Sequence, residues 1–79
     1  MQIHKDLNER DWIDAKKELP KVIGDCAFVY IKYLDYKGKE KIIKGMFYMN
    51  GKQPVFCAYG SQIDNVIAWQ IRKESDNIL

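Results

Sequence analysis

The sequence predicts a single small α+β to mostly-β domain: a four-stranded antiparallel meander, twisted or partially barrel-like, with a short N-terminal helical or extended segment covering one edge. Three observations predict it. The runs at 26–34, 41–49 and 66–71 are short, rich in β-branched and aromatic residues and bounded by turn residues, as strands are. Glycines at 38, 51 and 60 punctuate the interval between them at hairpin spacing. Finally, 79 residues with 47% hydrophobic and 13% aromatic content suffice for one core and leave no room for a second.

The elements follow in order. Asn8 with Asp11 three residues on resembles a helix start, and Pro20 blocks continuation, so a short extended piece or one helical turn is expected around Trp12 and Ile13, with a helix over 6–18 as the competing reading. Residues 22–25 make a turn at Gly24. The stretch 26–34 (CAFVYIKYL) is the central strand, since Cys26, Phe28, Tyr30, Lys32 and Leu34 line one face, Ala27, Val29, Ile31 and Tyr33 the other, and both are largely apolar. A turn centred on Gly38 leads into the returning strand 41–49, inside which Gly45 predicts a bulge or a close backbone approach. Asn50 and Gly51 predict a type I′ hairpin turn with positive φ at both positions. Pro54 opens a third strand ending at Tyr59, and 66–71 makes the fourth. The ends, 1–7 and 73–79, are expected to fray.

Several chemistries lack their ingredients. With two cysteines and one histidine a four-ligand structural zinc site is nearly excluded, and Cys26 and Cys57 read as reduced thiols. His4 is the only side-chain imidazole, too isolated to serve a Cys or Ser nucleophile. No catalytic residue, metal or cofactor is therefore predicted. No signal peptide and no apolar run approaching about eighteen residues occurs, which predicts a soluble cytoplasmic protein with no membrane partner.

Charge is informative through its placement. Net charge is only +2, but 32–52 carries six lysines against Asp35 and Glu40. Lys37, Lys39, Lys41 and Lys44 crowd the first hairpin beside Tyr33, Tyr36 and Tyr48, and cations next to exposed rings suit phosphates and stacked bases. Equally, edge lysines keep a strand from pairing and a small β protein soluble. Trp69 is expected in the core, with a role as the floor of a ligand site as the alternative.

The landmarks Trp12 and Ile13, then Glu18, Leu19 and Pro20, the apolar run 28–31, Gly45 to Tyr48 followed by Asn50 and Gly51, and a closing Val66, Ile67, Ala68, Trp69 resemble a small phage and prophage family catalogued as domain of unknown function 551. Its members open with a Trp-Ile pair shortly before a Leu-Pro and close with an apolar strand ending in Trp. The resemblance covers 11–72 and implies a phage or mobile-element accessory protein without implying a reaction. The expected function is noncatalytic binding of a host protein, such as a defence factor, through an aromatic strand edge, with a homodimer as a further expectation. The alternative is sequestration of a nucleotide or nucleic acid by the lysine hairpin.

Overall fold

The structure, a computed structural model, describes residues 12–72. It is an antiparallel sheet of six strands: β1 (Ile13–Asp14), β2 (Ala27–Leu34), β3 (Glu40–Asn50), β4 (Gln53–Ala58), β5 (Ser61–Gln62) and β6 (Val66–Ile71). Their spatial order is β1-β6-β2-β3-β4-β5. Four of these strands were expected; β1 and β5 were not, because two residues carry no periodicity. The order also corrects the meander. β6 does not follow β4 across the sheet but returns to lie beside β2, so β2, β3, β4 and β6 adopt the 4-1-2-3 arrangement of a Greek key. β2 is central as expected, paired with β3 through Ala27↔Phe47 to Leu34↔Glu40 and with β6 from Val29↔Ile71 to Tyr33↔Val66.

The chain before β2 does cover an edge: Ile13 pairs with Trp69 and Asp14 with Ala68. One helical turn follows, closed by Lys17 and Glu18 N–H groups on the Asp14 carbonyl at 3.0 and 3.1 Å. Among the described residues there is no helix; the competing helix over 6–18 falls partly outside them, as do the ends expected to fray. The segment then crosses one face of the sheet. Its anchor is the Trp69 indole, whose Nε1 donates to the Glu18 carbonyl at 2.9 Å.

That face carries the core. Val29 and Ile31 are fully buried and Phe47 nearly so, with Ala27, Phe56 and Trp69 beside them and Ile13, Val22, Ile63 and Val66 packed around. Phe47 and Phe56 meet at 4.8 Å between ring centroids. The sheet must coil around this cluster. Ile63 N–H bonds the Phe56 carbonyl and, two residues on, the Asn65 carbonyl accepts from Leu34 N–H. In a flat sheet Phe56 and Leu34 would stand about 25 Å apart, whereas two residues span about 7 Å. Only a curled sheet reconciles the two, and since β1 and β5 do not pair it is not closed into a barrel.

Turn chemistry departs from expectation in two places. The Asn50 hairpin has Gly51 and Lys52 as its two-residue loop, since Asn50 pairs with Gln53, and only Gly51 has positive φ, +65°. That matches a type II′ turn, which needs glycine at its first central position alone. Positive φ at both central residues occurs instead at Tyr59 and Gly60, between Ala58 and Ser61. Gly45 marks a close approach and not a bulge: its pairing with Val29 is in register, and an added Cβ would meet the Cys57 carbonyl oxygen and lie 2.6 Å from Ile31 Cδ1. The one register shift lies between Lys32 and Tyr33 in the pairing with β6.

Candidate functional site

The expected site centred on the hairpin joining β2 to β3, and its geometry begins with Asp35. The Asp35 carboxylate Oδ1 accepts the backbone N–H groups of Lys37 at 2.8 Å and Lys39 at 2.9 Å, while Gly38 N–H bonds the Asp35 carbonyl. The turn is thereby tightly wound, and the alternation that would align Lys37, Lys39 and Lys41 in an extended chain does not run through it. Tyr36 stands out at the tip, 92% exposed, with Lys37 Nζ 5.6 Å from its ring centre.

Beyond the turn the strand distributes the remaining residues over two faces. Lys41 lies opposite Tyr33 on the core side, where Tyr33 packs against the cluster. Lys44 lies opposite Tyr30 on the other side, as does the half-buried Tyr48, opposite Val55. Trp69 is a core residue, 3% exposed and hydrogen-bonded. The structure therefore brings Tyr36 and Lys37 together, sets Lys39 beside them in the turn, and separates Lys41 and Tyr33 from Lys44 and Tyr48 by the thickness of the sheet.

The outer face has features of its own. Trp12 is half-buried there under Lys32, whose Nζ sits 4.6 Å from the ring centre. Arg72 stacks on Phe28 at 5.2 Å. The Cys26 thiol donates to Met46 Sδ at 3.8 Å, and both cysteines are free. Among the described residues no group of three or more His, Cys, Asp or Glu could hold a metal, and no helix is long and apolar enough to cross a membrane.

What sequence reasoning missed is an edge. β3 pairs with β2 from Glu40 to Phe47 but with β4 only from Met46 to Asn50. Among the described residues nothing pairs with the β4 side of residues 40–44. The direction of the backbone groups follows from the turn. Asp35 N–H bonds the Lys39 carbonyl, so by antiparallel alternation Lys41 and Ile43 aim their N–H and C=O at β2. Glu40, Ile42 and Lys44 aim theirs outward. The Ile42 side chain is 43% exposed on the outer face. Beside Lys44, the turn at Tyr59 and Gly60 carries the chain back along the far side of β4 and away from this edge. A signal was present in the sequence: the apolar stretch of β3 is longer than that of β4, and a long strand beside a short one leaves surplus edge.

No family model matches the chain, and no curated protein or solved structure matches it either.

Proposed function

We propose that this protein is a noncatalytic protein-binding module that takes an extended segment of its partner as an added strand along residues 40–44 of β3. The observation that carries this reading is the outward set of N–H and C=O groups on Glu40, Ile42 and Lys44, over a stretch where β4 has left β3 without a neighbour. Strand addition derives affinity from such main-chain groups and selectivity from the side chains that alternate beside them. Those side chains are Lys41 and Ile43 on one face and Glu40, Ile42 and Lys44 on the other, with Lys37 and Lys39 at the turn. An extended, predominantly acidic segment with an apolar residue opposite Ile42 fits them. Such an edge would serve antagonism of a host factor by a phage or mobile-element accessory protein, the setting the sequence resemblance implies. The lysines diverge over two faces and a turn, which gives less support to a phosphate-bearing ligand.

The test uses Ile42→Pro. Its N–H points away from β2, so proline leaves the β2 ladder intact while removing an outward donor and obstructing an incoming strand. Wild-type protein recovered from its native host in half-molar salt should retain a protein partner, with the amides of Glu40, Ile42 and Lys44 protected from hydrogen exchange in the complex. Ile42→Pro should still unfold cooperatively and recover none. A partner retained by Ile42→Pro, or a bound mass of nucleotide size lost on Lys39→Glu with Lys41→Glu, would overturn the proposal.

A further inference from the structure

The same edge is complementary to itself. Resting on the strand-addition reading above, we infer that a second copy of this chain pairs with it, β3 against β3, antiparallel about a twofold axis through Ile42.

The register follows from the backbone. In an antiparallel ladder a hydrogen-bonded pair needs both residues to aim their groups at the junction. On this edge those residues are Glu40, Ile42 and Lys44. Placing Ile42 opposite Ile42 of the partner subunit sets Glu40 opposite Lys44 of the partner subunit and Lys44 opposite Glu40 of the partner subunit. All three outward residues of each copy are then used, giving about six interchain hydrogen bonds. Moving the axis to Lys41 would leave Lys44 facing the turn at Gly38 and would forfeit a third of them.

Side chains select the same register. Glu40, Ile42 and Lys44 share the outer face, so each twofold-related Glu40 meets a lysine across the strands, the favourable arrangement for directly opposed charges. Ile42, 43% exposed in the single chain, meets its own symmetry mate. On the inner face Lys41 lies opposite Ile43 of the partner subunit, where its methylenes can cover the half-buried isoleucine. The contact is isologous and closes on itself, since the edge is consumed in both copies, so the second copy and a partner's strand compete for the same edge. An interface of five residues a side is small, and a dissociation constant of about micromolar or weaker is expected.

A charge-exchange series read by sedimentation equilibrium on the purified full chain tests the register. Glu40→Lys alone and Lys44→Glu alone each place two like-charge pairs in the dimer and should weaken it about tenfold, whereas the two together restore opposite charges and should recover wild-type association. Ile42→Pro should give a monomer whose cooperative melting shows that it is folded. A wild-type chain that stays monomeric at millimolar concentration overturns the dimer; if Ile42→Pro still loses the host complex, the strand-addition reading stands without it. A dimer indifferent to Ile42→Pro overturns the β3 pairing. Dimerisation that the double exchange does not restore overturns the Ile42-centred register.

Discussion

Gly45 sits where β3 passes closest to the core and to β4, and the sheet tolerates no side chain there. Replacing it by alanine drives a methyl into the Cys57 carbonyl and Ile31, which belong to a packed interior with little freedom to yield. Overpacking of this kind costs about 2 kcal/mol, and in a domain of this size the melting temperature of Gly45→Ala should fall by roughly 10 °C. Thermal denaturation checks it; an unchanged midpoint would show that β3 can move off β4. Trp69 makes a smaller, separable contribution. Trp69→Phe keeps most of the buried ring but removes the bond to Glu18, a loss of ~1 kcal/mol, visible as a drop of several degrees and as faster amide exchange in the crossing segment. Both residues were readable in sequence to different depths. A glycine inside an apolar strand announces a close approach, and Trp69 announces itself as core by size. That its Nε1 reaches Glu18, across a separation of 51 residues, has no local trace.

Strands were legible in proportion to their length and to how one-sided their surroundings are. β2, β3 and β6 follow from β-branched and aromatic density. β1 and β5 do not, since each exists only because a longer neighbour offers a ladder to dock on. The place of β6 beside β2 was hidden too, because pairing order depends on how the sheet coils. The candidate site suffered from the same cause. Its lysines are near one another in sequence, and a strand between two faces separates them. At this scale β3 supplies a sharp contrast between adjacent residues. Ile42→Pro is expected to fold, whereas Ile43→Pro removes a ladder bond to β2 in the middle of the sheet, where proline is not accommodated, and should unfold a domain whose small core leaves little stability to spare. Circular dichroism in urea should show a cooperative transition for the first and a largely unfolded chain for the second. The opposite result, an unfolded Ile42→Pro and a cooperative Ile43→Pro, would mean that the alternation along β3 is reversed from the one derived from the turn.

For the whole molecule, the central fact is that β6 comes home between β1 and β2. Ile13 opposes Trp69, so the neighbouring Trp12 and Arg72 leave the sheet on the same side and close together. The most distant parts of the described chain are thus joined in space while the hairpin at Gly51 and Lys52 is exposed. The consequence is a protein whose chain order is interchangeable. Joining residue 79 directly to residue 1 and opening new ends between Gly51 and Lys52 leaves every ladder except that one turn, with residues 73–79 and 1–11 as the connecting stretch. Such a circular permutant should fold to the same sheet, with a native-like amide spectrum. It should fold more slowly by stopped-flow fluorescence of its tryptophans: the pairing of β6 with β1 becomes local, but the more extensive pairing of β3 with β4, a hairpin in the native order, becomes one that must wait for the whole length of the polypeptide to be gathered.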